Sequence, residues 1–368
     1  MTNSSSFEGC MDINADLGPF QYYTWGITSN IIAVSGILLN ILAITVLSQP
    51  RMRSSTAIYL ISLAVYDNIV LLSMIVNFAI PTLEVDAYFL DMYFFVYNYI
   101  QPIAYPIALI AQTGTIYTTV GFTVERYVAV CRPLQAANIC TTSRSKKAVF
   151  CIFLGSVIYN IPRMFEYETV LEWDDQVNKT QPIYRATELG QNKIYKEVYF
   201  IYLNLLIMFF LPFTLLAYVN TCLINAIRTS RASRVQMSSS AVKENNMTLM
   251  LVSVVVVFLV CQLPSIADNI LWTALNSYQQ RCNATYIKFT TISNLMVIFN
   301  SACNFVLYCL FGKKFRRVFC KVFCSRLKRS TVRYQFRPES ATLVCHIRDS
   351  TTKLYHVKGN HEMESTSV

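Results

Sequence analysis

Hydrophobic and polar positions along this chain fall into long blocks, not into the alternation of a strand or the single stripe of a surface helix. Seven apolar stretches, at about 27–47, 57–80, 96–130, 147–166, 197–227, 246–274 and 285–310, are separated by short polar gaps. An apolar helix needs about 20 residues, rising 1.5 Å each, to cross roughly 30 Å of hydrocarbon. All seven meet that length, and the longer ones are expected to tilt or to project beyond the bilayer. The third is interrupted by Gln101, Pro102, Tyr105, Pro106, Gln112 and Thr113, which must face protein or a water-filled cavity. The pattern predicts an all-α membrane protein, a seven-helix transmembrane bundle over 27–311 behind an extracellular N-terminal tail, 1–26. A short amphipathic eighth helix is expected over 312–324 and a disordered cytoplasmic tail over 325–368. Between spans four and five, residues 168–189 read as a hairpin lid, through Thr169-Val170-Leu171 and Pro182-Ile183-Tyr184.

Composition agrees. Of 368 residues 54% are apolar and 14% charged, whereas a soluble domain carries about 25% charged residues to coat its surface. The net charge of +10 raises nucleic acid as a partner. Its placement argues otherwise, because the basic residues sit in the polar gaps. Arg51, Arg53, Arg144, Lys146, Lys147, Arg228, Arg231, Arg234 and Lys243 follow spans one, three and five. Lys313, Lys314, Arg316, Arg317, Lys321, Arg326, Lys328 and Arg329 follow span seven. The residues before span one hold Glu8, Asp12 and Asp16 and no Lys or Arg. Positive charge stays inside, so the N-terminus is expected outside and the C-terminus in the cytoplasm of a plasma-membrane protein. The glycosylation acceptors Asn3, Asn178 and Asn283 all fall on the predicted outer side, while Asn246 matches the pattern on the inner side. Residues 1–26 are polar and acidic, unlike a cleavable signal peptide, so the first span is expected to start insertion. Of twelve Cys, most lie in or beside apolar runs and read as packing residues; Cys10 and Cys282 fall in outer segments.

A charged or strongly polar side chain deep in lipid costs at least a few kcal/mol, so each asks for a reason. Asn40, Asp67, Thr115, Asn300, Ser301 and Asn304 lie mid-span. Interhelical hydrogen bonding accounts for Asn40. An ionised Asp67 needs a cation or several donors. A sodium ion held with Thr115, Asn300 and Asn304 is one reading, and a protonated Asp67 is its rival. At the inner end of span three stands Glu125-Arg126-Tyr127, and Glu244 opens span six. Arg126 can bind the adjacent carboxylate or reach Glu244, and a pair that forms in one packing and breaks in another is a two-state element. A solvated charge near a membrane end is the plainer alternative.

In order and depth these residues resemble a rhodopsin-type G-protein-coupled receptor over about 27–324. The resemblance rests on Leu39-Asn40, Leu63-Ala64-Val65-Tyr66-Asp67, Glu125-Arg126-Tyr127, Cys261-Gln262-Leu263-Pro264 and Asn304-Phe305-Val306-Leu307-Tyr308, with Phe315 following. Pro212, Ile116 and Phe258 occupy the family's core switch positions. The run Glu125 to Leu134, with Asn160-Ile161-Pro162-Arg163, Pro212 to Asn220 and Tyr308 to Phe315, resembles the FMRFamide-type neuropeptide receptors of invertebrates. Departures are specific. Gln101 stands where the family has Cys, the segment 167–196 has no Cys, and Cys10 with Cys282 is a candidate substitute disulfide. Gln262 replaces a Trp, Phe305 a Pro, and Asn220 a Tyr, and span four lacks its Trp, so the activation switch does not carry over literally.

The resemblance implies population shift: a ligand outside favours an arrangement in which Glu244 swings away from Arg126, and the cavity accepts a Gα helix of a heterotrimeric G protein. Ala108 stands where amine receptors keep an Asp, and Ile298 where retinal proteins keep a Lys, with Lys288 near the outer end. An aromatic and acidic mouth remains, with Tyr97, Tyr105, Gln112, Tyr202 and Trp272 as candidate lining and Asp268 and Glu166 as candidate partners of a ligand Arg. That combination suits an extracellular amidated peptide. The amphipathic helix ends in the palmitoylation candidates Cys320 and Cys324. Ser340, Thr342, Ser350, Thr351, Thr352, Ser365, Thr366 and Ser367 are phosphate acceptors for arrestin recruitment, and Thr366-Ser367-Val368 fits a PDZ ligand. The rivals are a receptor for another peptide class, myosuppressin-like or thyrotropin-releasing-hormone-like, and a transporter, for which no internal repeat is visible. An enzyme is not expected, because no His lies in a span and no HExxH or GxSxG occurs. Beyond a bound sodium, no cofactor or metal is expected.

Overall fold

A computed structural model describes residues 17–80, 87–174, 178–232, 239–274, 283–324, 356–358 and 362–364. Among them, seven helices are long and apolar enough to cross a membrane: Leu17–Leu47, Ser55–Asn77, Phe95–Cys131, Thr142–Phe165, Lys193–Ala226, Val252–Leu271 and Ala284–Phe311. They are called spans one to seven here. Caps set several of their starts, with Ser54, Thr141 and Asn283 accepting the backbone N–H of Ala57, Arg144 and Thr285.

Span one begins at Leu17, ahead of the expected start at 27. Polar Gln21 and Thr24 hide it in the sequence. Trp25 explains it, being buried against Ala33, Leu71 and Ile298. Span three keeps Pro102 and Pro106 inside one helix, Ala87–Cys131. Span five opens with π-helical turns, Lys196–Leu203 and Leu205–Phe210, before the regular helix Leu211–Ala232.

The helices approach most closely where side chains are small. A Cβ placed on Gly36 of span one would lie 2.6 Å from the Cβ of Ala302 in span seven, and one on Gly114 of span three would meet the Tyr66 ring at 2.6 Å. Small residues that let helix backbones meet are the usual packing device in lipid, where apolar burial between helices drives little. The outward faces carry Ile31, Leu38, Ile103, Ile158, Tyr218, Val260 and Leu310, all exposed. In a bilayer these contact lipid.

At one end of the bundle, strands β1 (Tyr167–Asp174) and β2 (Lys179–Ala186) form an antiparallel hairpin, as the sequence suggests. Exposed Asn178 takes φ of 53° at its turn, a conformation Asn tolerates better than most residues. This is called the hairpin end. The opposite end, with Arg126, is called the basic end. There a short helix, Pro133–Ile139, joins spans three and four, and the helix Lys313–Phe319 follows span seven after Gly312. Phe315 and Val318 of that helix are buried, matching the expected amphipathic eighth helix.

Residues Lys321–Val368 form a separate unit. The tail read as disordered holds one short hairpin, β3 (His356–Lys358) with β4 (Glu362–Glu364). In register, His356 opposes Glu364, Val357 opposes Met363 and Lys358 opposes Glu362. Ser340, Thr342, Ser350, Thr351, Thr352 and 365–368 lie outside the described residues.

Candidate functional site

Asp67, 0% exposed, is the centre of the polar core. Thr115 Oγ1 donates to it at 3.2 Å and Asn304 Nδ2 at 2.8 Å, and Ser301 is a third hydrogen-bond partner. Asn40 Nδ2 donates to the Ser301 carbonyl at 3.0 Å and ties span one to span seven. Asn300 is buried nearby, but among the described residues it makes no hydrogen bond to Asp67; its carbonyl accepts from Cys303 Sγ at 3.4 Å. The buried Tyr308 hydroxyl has no hydrogen-bond partner among the described residues and lies within electrostatic reach of Asp67.

At the basic end, Glu125 and Arg126 are both buried and paired at 2.7 Å. Removing a buried charge from its partner is costly, and extra hydrogen bonds are what make such a pair tolerable. Glu125 Oε1 also accepts from Ser55 Oγ and Thr56 Oγ1, each at 2.9 Å, and Oε2 from Ser145 Oγ at 2.9 Å. Spans two, three and four thus converge on one carboxylate. The sequence left Arg126 a choice between Glu125 and Glu244, and here it takes Glu125. Glu244 lies on the helix Ser239–Ala274, but its side chain is outside the described residues. Tyr127 is half-buried on the same turn. Just beyond span three, Cys140 donates its thiol to the Glu125 carbonyl at 3.6 Å, and burial, then the Glu125 charge, pushes that thiol's pKa up. Leu134, on the adjoining short helix, is 93% exposed.

The core between the ends is packed as expected around Ile116, Phe258, Pro212 and Gln262, all buried. Phe258 meets Phe213 at 5.9 Å between ring centroids. A π-turn leaves the Ile207 carbonyl accepting from Tyr117 of span three at 2.8 Å, and such turns recur at functional sites. Phe305, in place of the family's Pro, is buried and stands edge-on to Phe315 and Phe319 at 5.6 Å. Arg316 Nη1 donates to the last carbonyls of span seven, Cys309 at 2.8 Å and Leu310 at 2.7 Å. Sequence reasoning missed this dock and this cap. A basic residue a few positions beyond a helix end is the signal that could have found the cap.

The hairpin end corrects two expectations. Glu166 is 1% exposed and is already neutralised: Arg163 Nη1 donates to its two oxygens at 3.1 and 3.2 Å, and Tyr195 Oη at 2.7 Å. Arg163 in turn lies 5.2 Å over the Tyr199 ring. Glu166 therefore braces spans four and five and is not free for a ligand Arg. Tyr202 is 70% exposed on the outer surface of span five instead of lining a mouth. The π-turns over Lys196–Leu203 rotate residues away from the faces that a 3.6-residue period assigns.

Asp268 stands as expected at this end, half-buried, accepting from Thr290 Oγ1 at 2.6 Å. Among the described ion pairs it has none. Tyr105 lies within electrostatic reach of Arg163, Glu166, Tyr167 and Tyr199. Gln112 is half-buried further along span three, and Tyr97 donates to Asn77 at 2.9 Å. The side chain of Trp272 is outside the described residues, as are Asn3, Cys10, Cys282 and the Cys324 side chain. Asn283 and Cys320 are exposed.

The family described as 7 transmembrane receptor (rhodopsin family) matches residues 39–308. The chain is 34% identical over 307 residues to the FMRFamide receptor of Drosophila melanogaster, covering 83% of this chain and 55% of that protein. It is 32% identical over 294 residues to the FMRFamide peptide receptor frpr-18 of Caenorhabditis elegans, covering 78% of this chain and 66% of that one. The chain thus spans about half to two thirds of the length of these relatives. It is also 25% identical over 323 residues to the thyrotropin-releasing hormone receptor of Gallus gallus, covering 80% and 77%. Seven apolar helices, a buried carboxylate at their centre and a matched stretch from 39 to 308 agree: this chain belongs to the rhodopsin family of seven-transmembrane receptors.

Proposed function

We propose that this protein is a receptor for an amidated, FMRFamide-like neuropeptide and that it signals through a heterotrimeric G protein. In this reading the hairpin end faces outside and the basic end the cytoplasm, which the Lys and Arg in the gaps after spans one, three and five support. The observation that carries the ligand class is Asp268, a half-buried carboxylate at the hairpin end that accepts from the Thr290 hydroxyl and, among the described residues, forms no ion pair. A guanidinium from the peptide completes it, and the names of the two FMRFamide-receptor relatives support that chemistry.

At the other end, the Glu125–Arg126 pair is the two-state element. Peptide binding shifts the population toward an arrangement that frees Arg126 and opens a groove for a Gα helix, by no more than the peptide's differential affinity for the two states. The polar core offers a small hard cation the carboxylate of Asp67 and the hydroxyls of Thr115 and Ser301, with the Tyr308 hydroxyl within electrostatic reach; Asn304, which here donates its Nδ2 to Asp67, would have to turn its amide oxygen inward to join them. Sodium held there would neutralise Asp67 and favour the packing seen here. Arrestin and a PDZ protein at residues 366–368 complete the proposed partners. A panel of amidated peptides and their free-acid forms, applied to cells bearing this chain, tests the reading through G-protein activation. Activation by Arg-Phe-amide peptides but not by their acids is the expected result; solute or ion flux without nucleotide exchange would sink it.

A further inference from the structure

The hairpin has no cysteine and neither does span three before Cys131, so no disulfide joins them. One residue takes that place. Asn98 of span three accepts, at its backbone carbonyl, the hydroxyl of Thr169 in β1. Its side-chain Nδ2 donates to the carbonyl of Pro182 in β2 at 2.9 Å. Both strands are therefore held by a single helical residue. The base of the hairpin is closed independently, by Thr187 N donating to the Glu166 carbonyl at 2.9 Å and Thr187 Oγ1 to that of Phe165 at 2.6 Å. Tyr167 and Tyr184 stack across the strands at 4.6 Å.

The clasp also decides which face the hairpin presents. Side chains alternate along a strand, so Leu171 and Trp173 share the face of Thr169, which is turned toward span three. Nearer the tip they stand open among the described residues: Leu171 is 63% and Trp173 59% exposed. The opposite face carries the ion pairs, with Arg185 bridging Glu168 at 3.5 Å and Glu172 at 3.1 Å around the smaller apolar pair Val170 and Ile183. A hairpin free to roll about its base would show a peptide either face.

We propose that Asn98 is a positioning residue for the binding mouth: it clasps both strands without a thiol and so holds Leu171 and Trp173 toward an aromatic side chain of the ligand. This rests on the peptide-receptor reading for its ligand, but the clasp itself has a ligand-free test. Hydrogen–deuterium exchange of residues 167–186 in the purified full chain should quicken about twofold to tenfold in Asn98→Leu and in Thr169→Val, the scale of losing a net hydrogen bond. Thr169→Ser should behave as wild type, and a phosphine reductant should leave the exchange unchanged. In cells, Asn98→Leu and Trp173→Ala should both raise the half-maximal peptide concentration, with maximal response and surface number retained. Only Asn98→Leu should also loosen the hairpin. Unchanged exchange in Asn98→Leu, or loosening by the reductant alone, overturns the clasp, and a loosened hairpin with unaltered potency overturns the positioning role. Silence of the wild type toward every peptide instead overturns the receptor reading, while the exchange arms still decide the clasp.

Discussion

Asp268 and Glu166 show how two carboxylates at the same end of a bundle come to opposite fates. Asp268 is half-buried and accepts from the Thr290 hydroxyl, whereas Glu166 is sealed against Arg163 and Tyr195. Asp268→Asn should therefore lower peptide potency by about tenfold to a hundredfold, the value of a charged hydrogen bond, with surface expression preserved; radioligand displacement checks it. Glu166→Gln should act differently. It leaves Arg163 buried without its counter-charge, which costs on the order of 3 kcal/mol, so fewer receptors should reach the surface while those that do keep normal potency. Flow cytometry beside a dose–response curve separates the two. Both residues were singled out from the sequence as ligand partners. The spacing of Arg163 and Glu166 by three positions was legible as a helical pair, but that the pair is turned inward depends on Tyr195 and Tyr199 from span five, which no local pattern reveals.

Among elements, the spans are readable because lipid demands about 20 apolar residues of every helix, and the hairpin because Thr169-Val170-Leu171 and Pro182-Ile183-Tyr184 are rich in residues that favour strands. What escaped was local winding. The π-turns at Lys196–Leu203 and Leu205–Phe210 change which residues face inward, and Tyr202 was misplaced for that reason. The extension of span one to Leu17 was hidden by its polar residues and is held by Trp25. The helix Lys313–Phe319 was read from its amphipathic pattern, but its anchor was not, because Phe305 stands where a helix-bending residue was expected. Phe305 packs edge-on to Phe315 and Phe319. Phe305→Ala should destabilise the chain by on the order of 3 kcal/mol, typical of a buried Phe truncation. A lowered thermal midpoint in detergent, with a spin label on that helix turning mobile, checks the expectation.

For the molecule as a whole, the two ends are linked through span three, which carries Asn98, Tyr105, Thr115, Glu125 and Arg126 along one helix. Arg126→Ala should abolish peptide-stimulated nucleotide exchange while surface number holds, because Glu125 retains three hydroxyl donors from spans two and four. Leu134, 93% exposed beside that site, is an apolar side chain at the basic end. Leu134→Ala should weaken coupling to the G protein without altering peptide affinity, measured as exchange rate against displacement in the same membranes.

Arg126 is also incompletely satisfied where it lies. Its Nε is buried and has no hydrogen-bond partner among the described residues. A buried donor left idle costs about 1–3 kcal/mol, a factor of roughly 5 to 150 in the ratio of two conformers. Water or a visiting backbone carbonyl would meet that need the moment the helix ends part. The quiet form is thus held less firmly than its many hydroxyl contacts suggest, and some receptors should flicker awake with no peptide present.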